Sequence, residues 1–326
     1  MGGEKARLFS IDFWRYYWVT MRPYLLFVSG ITGIAGLSLS AETNPLRLAL
    51  FSIIFFLSYG FGQALTDCFQ TDTDSISSPC RPLVSGKVAR KDIALVSVMG
   101  LVLGGAVLVW ANLSIAIWAI LSILGLATYT YFKRRWWGGP FYNAWIVGVL
   151  CLIGFLAGSG VAGSRDINPA LLTMIATAFF GYANFVLIGY YKDVSADRAT
   201  GYNTFPVVFG FGLSSLVSDL FALLATLSFA ASLFFINSAK TTTVQFWPVV
   251  PFALAGLAML VRAQFMAHRV TNETQAHKAI SPIVHAFVLL LSALTVTARP
   301  GWALILLLYY LAFVLVLRVR PSKEQI

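Results

Sequence analysis

The chain has 326 residues, of which 58% are hydrophobic, 15% aromatic and only 11% charged, and its mean hydropathy is +0.78. Soluble domains carry about 25% charged residues, so disorder, a disulfide-stapled miniprotein and an ordinary soluble enzyme are excluded in favour of an all-α polytopic membrane helix bundle. A net charge of +10 in so apolar a chain reads as basic loops orienting membrane helices, with no nucleic-acid partner.

The N-terminal stretch MGGEKARLFSIDFWRYYW has no apolar signal-peptide core before Trp14 and is not Arg/Ser-rich, and Ala6 does not fit the myristoylation pattern. Apolar runs then predict ten segments, at roughly 20–40, 46–66, 92–112, 114–132, 141–162, 169–191, 212–236, 246–267, 279–298 and 301–318. Only Arg299-Pro300-Gly301 separates the last two. They read as two spans, because one helix of that combined length would run about 60 Å, twice the hydrocarbon thickness. No soluble domain or low-complexity tract interrupts residues 1–326, which read as a single integral-membrane domain. Cys68, Cys80 and Cys151 are odd in number and form no CxxC pair, so neither a disulfide framework nor a zinc site is expected.

Charge placement gives an orientation. With a cytoplasmic N-terminus, the opposite side keeps only Arg47, Arg165, Lys240 and Arg299 of the 23 lysines and arginines. The positive-inside rule then puts both termini in the cytoplasm, a bacterial inner membrane being the expected compartment. Two polar loops, 67–91 and 192–210, fall on that same side and are long for helix connections.

Those loops hold five of the 13 acids: Asp67, Asp72, Asp74, Asp193 and Asp197. If helix continues past the membrane edge, Asp67, Gln70 and Asp74 share one face, as do Asp193 and Asp197. Carboxylates stacked at a membrane edge repel each other and resist desolvation. Mg²⁺ takes carboxylate oxygens, waters and substrate phosphates, so two facing clusters of this kind could hold a diphosphate between metal ions. The plainer alternative is solvated loop acids paired with Arg81, Lys192 or Arg198.

The stretch Thr66-Asp67-x-x-Gln70-x-x-x-Asp74, followed by Ser78-Pro79-Cys80-Arg81-Pro82-Leu83-Val84-Ser85-Gly86, resembles the first motif of the UbiA superfamily of intramembrane prenyltransferases. Asp193-x-x-x-Asp197-Arg198-x-x-Gly201-x-Asn203-Thr204-Phe205-Pro206 and its continuation to Gly210 resemble the second. Arg22-Pro23, and Tyr129, Lys133 and Asn143, are similar to further family positions, so the likeness spans essentially the whole chain. It departs at Thr66, where the family usually has Asn, and at Gln70, where it usually has Asp. Gln70 still offers a neutral oxygen, and Asp72, about 160° from Asp74 on an ideal helix, is poorly placed to substitute. The family commonly has nine spans, so nine or ten transmembrane helices are expected.

The resemblance implies Mg²⁺-dependent transfer of a polyprenyl group from an isoprenyl diphosphate to a lipophilic acceptor, aromatic by preference, inside the bilayer. Asp67, Gln70, Asp74, Asp193 and Asp197 would hold Mg²⁺, the four aspartates counting as catalytic. Arg22, Arg81, Tyr129, Lys133, Asn143, Lys192 and Arg198 would bind substrate. Tyr59, Phe61, Phe69, Tyr129, Tyr182 and Tyr190 are candidates to shelter an allylic cation, against the alternative of lipid-facing aromatics. Trp136-Trp137 reads as an interfacial anchor, and Gly60, Gly62, Gly154, Gly158 and Gly160 as close-packing positions. His268, His277 and His285 form no metal spacing, and none stands out as a base. A terpene cyclase on the same site, a transporter and a non-catalytic scaffold are the competing functions. The acids sit at helix ends rather than at the midplane, which disfavours a transporter.

Overall fold

The computed structural model describes residues 5–160, 167–239 and 247–321. Thirteen α-helices follow in order among them: α1 (Ile11–Met21), α2 (Leu26–Ser38), α3 (Pro45–Asp67), α4 (Thr71–Ser77), α5 (Arg90–Ala111), α6 (Ile115–Lys133) and α7 (Gly139–Ser159). The second half comprises α8 (Pro169–Gly189), α9 (Val194–Ala199), α10 (Phe205–Ser238), α11 (Val249–Ala267), α12 (His277–Ala298) and α13 (Ala303–Val319).

All ten apolar segments are helical. Nine stretches among the described residues are long and apolar enough to cross a membrane, and the first segment is a shorter helix, Pro23–Ser38. Its N-terminal turn is 3₁₀ and follows Arg22, whose φ of 53° breaks the chain away from α1. The α1 helix was not among the predicted segments. It buries Phe13, Tyr17 and Met21 and exposes Trp14 and Trp18, the division expected of a helix lying in the interface. Of the cations used for orientation, Arg165, Lys240 and Lys323 lie outside the described residues.

Local chemistry sets the helix starts. Asn44 and Asn168 cap α3 and α8, accepting from backbone N–H groups, and Pro45 and Pro169 occupy the first helical position. The α10 helix is broken at Gly210 (φ 74°, ψ 176°), a conformation closed to L side chains, so its transmembrane stretch begins beyond that point.

The bundle closes around α12, whose apolar window is 83% buried, whereas α13 lies on the outside at 11%. The α2 helix packs on both α3 and α7. It meets α7 backbone to backbone, with Gly36 against Cys151 O and Gly154 against Gly33 O, where a Cβ would collide. Gly160 instead has open space around it and a φ of 62°, so it serves the chain turn rather than packing.

Arg299 finishes the end of the bundle remote from the acids. Its guanidinium donates to Ser38 O (3.0 Å), Ser40 O (2.6 Å) and Glu42 O (3.0 Å), tying the α12–α13 turn to the end of α2. That turn makes the last two segments separate helices, as length required.

Candidate active site

Both acidic motifs sit where a helix breaks. The α3 helix ends at Asp67, Gln70 leaves helical geometry (φ −121°, ψ 19°), and α4 restarts at Thr71. The expected continuous helix face is therefore corrected. An unbroken helix would carry Asp74 about 10 Å beyond Asp67 into solvent, whereas the break keeps Asp74 over the cavity, buried against Arg81. In the second motif a 3₁₀ turn, Tyr190–Asp193, ends α8, and Asp193 (φ −117°, ψ 11°) is the joint before α9.

The motif tails shape these joints. Thr204 Oγ1 donates to Asp197 Oδ2 at 3.1 Å, and the Tyr202 amide donates to Asp197 O at 2.8 Å across Gly201, whose φ is 74°. Asp197 is fully buried and does not line the cavity; Lys133 Nζ stands 3.6 Å from its Oδ1, which accepts no hydrogen bond. It therefore backs Lys133 instead of facing substrate. Arg198 is exposed and away from the cavity, which does not fit its expected substrate role.

The remaining predicted residues converge on one cavity of about 550 Å³: Arg22, Asp67, Gln70, Asp74, Arg81, Tyr129, Lys133, Asn143, Lys192 and Asp193. Their charges interlock. Arg22 Nη2 reaches both Asp67 oxygens (3.0 and 2.9 Å), and Gln63 Nε2 donates to Asp67 Oδ1 at 2.6 Å. Arg81 meets Asp74 at 2.5 Å, Lys192 meets both oxygens of Asp193 (2.9 and 3.0 Å), and Lys133 donates to Gln70 Oε1 at 3.1 Å. Burial raises the Asp74 carboxyl above its ordinary value, against the pull of Arg81. Burial alone would lower Arg22, but the Asp67 charge raises it. The acids are thus paired, as the plainer reading held, but they are enclosed rather than solvated.

No three His, Cys, Asp or Glu side chains stand close enough to share a metal among the described residues. Each cavity carboxylate instead faces its own cation. Asp67, Asp74 and Asp193 nevertheless open onto one space with the amide oxygen of Gln70. This all-oxygen donor set suits a hard divalent cation.

Asp72 takes no part in that ring. It accepts from Arg134 Nη2 (3.0 Å) and Tyr202 OH (3.2 Å), bridging the two motifs on their solvent side. Thr73 and Thr200 meet at 3.1 Å beside it, and Glu273 accepts from Ser195 Oγ at 2.7 Å. These contacts tie α4 to α9 and α9 to the α11–α12 connection.

From this polar head the cavity runs into the bundle between α3, α5, α6 and α7, reaching Leu50, Ile54, Leu108 and Ile153. Tyr59, Phe61, Tyr129, Tyr182 and Tyr190 line it, whereas Phe69 is exposed under Arg90. Leu50 and Leu103 line it too while 42% and 63% exposed, so the cavity communicates with the outer surface between α3 and α5. Trp136 and Trp137 are half-exposed, in keeping with an interfacial anchor. His268 pairs with Asp219 at 2.6 Å, and His285 with Tyr310 at 2.9 Å. Sequence reasoning missed Tyr24, Gln63, His277, Ser281 and Arg320 as lining residues. None belongs to a recognisable spacing; only the packing of α12 and α13 brings the last three in.

A family profile described as the UbiA prenyltransferase family matches residues 26–280. A digeranylgeranylglyceryl phosphate synthase of Thermococcus sibiricus is 28% identical over 62% of this chain and 71% of its own length. One of Methanothermobacter thermautotrophicus is 23% identical over 79% and 89%. Among solved structures, a UbiA homologue from Archaeoglobus fulgidus bound to DMAPP and Mg²⁺ superposes with a TM-score of 0.60 at 16% identity, covering 84% of this chain and 98% of that one. A digeranylgeranylglyceryl phosphate synthase in membranes gives 0.63 at 21% identity, covering 88% and 99%.

Proposed function

The chain belongs to the UbiA prenyltransferase family and acts on an isoprenyl diphosphate, and we propose that it carries out Mg²⁺-dependent transfer of a polyprenyl group to a lipophilic acceptor within the membrane. The observation that carries this reading is one cavity joining a ring of paired charges to a long apolar channel. From Asp67 back to Leu50 along α3 is about 25 Å at 1.5 Å per residue. An isoprenyl unit of four C–C bonds spans on the order of 5 Å. With about 5 Å of that depth taken by the diphosphate at Asp67, a donor tail of about four units, the geranylgeranyl class, fills the remainder.

The ring is balanced before substrate arrives: Arg22, Arg81, Lys133 and Lys192 stand against Asp67, Asp74, Asp193 and Asp197. A diphosphate adds negative charge that this ring does not meet. Binding is therefore a partner exchange. Arg22, Arg81 and Lys192 turn from carboxylates to phosphate oxygens, freeing Asp67, Asp74 and Asp193, with Gln70, to hold Mg²⁺. The bound metal supplies Lewis acidity that stabilises the leaving diphosphate.

The allylic C–O bond breaks with its electron pair leaving on the diphosphate. The acceptor forms the new bond to the allylic carbon, and its proton passes to the departing diphosphate. Tyr129, Tyr182 and Tyr190 shield the developing cation with ring faces and exclude water. The names of the similar synthases speak of a glyceryl phosphate product. They favour a glycerol-type hydroxyl acceptor over the aromatic one expected from the sequence. Both termini and the motif ends face the cytoplasm in this reading, supported by the basic excess at that end.

The test is a nanodisc assay with geranylgeranyl diphosphate and Mg²⁺, with and without acceptor lipids. Acceptor-dependent diphosphate release with an adduct of summed mass is expected. A cyclised hydrocarbon formed without acceptor would overturn the reading in favour of a terpene cyclase.

A further inference from the structure

Tyr202 is fully buried beside the paired charges without lining the cavity. It stands between Gly201 and Asn203, at an unspecified position of the second motif. Its ring lies against Lys133, with the ammonium 5.2 Å from the ring centroid. The centroid of Tyr190 lies 5.6 Å from the same ammonium. With Gln70 Oε1 at 3.1 Å and Asp197 Oδ1 at 3.6 Å, two aromatic rings and two oxygens surround one charge. An aromatic face attracts a desolvated ammonium through its quadrupole and adds no formal charge to a balanced site.

Tyr202 is itself fastened. Its amide donates to Asp197 O at 2.8 Å, and its hydroxyl donates to Asp72 Oδ1 at 3.2 Å. The next amide, of Asn203, donates to Arg134 O at 3.0 Å, which ties residues 202 and 203 to the end of α6 that carries Lys133. This sets Lys133 apart from the other three cations. Arg22, Arg81 and Lys192 each hold a carboxylate that lines the cavity, so each can trade it for a phosphate oxygen. The carboxylate beside Lys133, Asp197, lies outside the cavity wall, and the ring contacts do not depend on what the cavity contains. Lys133, which does line the cavity, is the cation that stays in place while the others change partners.

We propose that Tyr202 is a positioning residue that fixes the Lys133 ammonium, and that this fixed charge stabilises the diphosphate as it leaves rather than as it binds. The assignment rests on the transferase reading above, at its C–O cleavage step. There the electron pair of the breaking bond passes to the diphosphate. A cation already in place meets the added negative charge without reorganising. The cations that change partners on binding act on affinity for the donor, whereas the one that does not move acts on the rate.

The experiment replaces Tyr202 by phenylalanine and by phenylalanines carrying one, two or three ring fluorines. These keep the shape of the side chain while draining negative potential from its face. Two quantities are read: the single-turnover rate of diphosphate release from geranylgeranyl diphosphate, and the Kd of its unreactive thiolo analogue. Tyr202→Phe retains the ring face and should keep the rate within about twofold of wild type. The rate should then fall stepwise, by about tenfold at the third fluorine, while Kd stays within about twofold. Tyr202→Leu should show the full loss of rate, and acetic anhydride should label its Lys133 several-fold faster than that of the wild type in metal-free protein. The Arg134 guanidinium also stands 4.6 Å from the Tyr202 centroid, so the series is repeated in Arg134→Gln, where the same trend is expected. A rate indifferent to fluorine, a Kd that weakens in step with it, or a trend abolished by Arg134→Gln overturns the assignment while leaving transfer intact. So does a full loss already at Tyr202→Phe, which would put the hydroxyl in the role given to the ring. A wild-type protein that releases no diphosphate from the donor overturns the transferase reading itself.

Discussion

Lys133 joins the two acidic motifs: its ammonium donates to Gln70 Oε1 at 3.1 Å and lies 3.6 Å from Asp197 Oδ1. One buried cation thus spans a neutral partner from the first motif and a charged one from the second. The departure at Gln70 is explained by this arrangement. With Asp197 supplying the counter-charge, an amide oxygen suffices on the other side. Gln70→Asp adds a carboxylate to a balanced ring, so we expect tighter divalent binding. The Mg²⁺ concentration giving half-maximal rate should fall several-fold, and an unchanged or higher value would contradict the placement of Gln70 among the metal oxygens.

Asp67 and Asp193 stand in the cavity, one from each motif, each held by a cation. Asp67→Asn and Asp193→Asn should each cut Mg²⁺-dependent diphosphate release by about a hundredfold or more, the scale seen when a group that stabilises leaving-group charge is removed. Single-turnover measurements on folded, monodisperse protein check this. Normal release from either variant removes that residue from the machinery.

Asp72 gives the contrasting case. It is a near neighbour of Asp74 in sequence, yet it bridges Arg134 and Tyr202 on the solvent side, with both charged side chains well exposed. Exposed pairs contribute less than about 1 kcal/mol. Asp72→Asn should therefore leave the Mg²⁺ dependence where it is and lower the thermal midpoint only slightly. A Mg²⁺ requirement displaced tenfold would show that Asp72 does substitute for the missing aspartate.

Gly104 lines the apolar channel, and a Cβ there would stand 3.1 Å from Ile54 Cγ2. Gly104→Val narrows the channel partway along its length. Each methylene excluded from an apolar site changes discrimination by about 1–3 kcal/mol. The ratio of kcat/KM for farnesyl over geranylgeranyl diphosphate should rise about tenfold. A ratio that stays constant would take the donor tail out of this channel.

Arg299 tests the far end of the bundle. Arg299→Ala leaves three carbonyls at the end of α2 without their donor, a loss of about 1–3 kcal/mol. The thermal midpoint in detergent should drop by several degrees while turnover at low temperature persists, because the residues that Arg299 holds, Ser38, Ser40 and Glu42, do not line the cavity. Loss of turnover without loss of stability would contradict a purely structural role.

The sequence carried the bundle well, because apolar runs bounded by Asn-Pro and Arg-Pro-Gly leave little choice of helix ends in a membrane. It carried the inventory of the charged ring too, since scarce acids at helix ends must meet scarce cations. Directions within the motifs were less legible. A uniform helix puts Asp193 and Asp197 on one face, but the joint at Asp193 sends one to the cavity and buries the other behind Lys133. Arg198 follows the same turn outward. The wall formed by α13 left no pattern at all, because Leu317 and Arg320 acquire their neighbours only when the last helix folds back beside the first.

The fissure between Leu50 and Leu103 has a kinetic meaning. A chamber that opens sideways exchanges its apolar contents with the surrounding lipid. The variable governing occupancy is then the mole fraction of each substrate among the amphiphiles around the protein. Diluting the sample in buffer leaves that fraction alone, whereas adding detergent or inert lipid lowers it. Rates measured at fixed total substrate should accordingly fall as more lipid is supplied, a surface dilution that ordinary solution enzymology does not encounter.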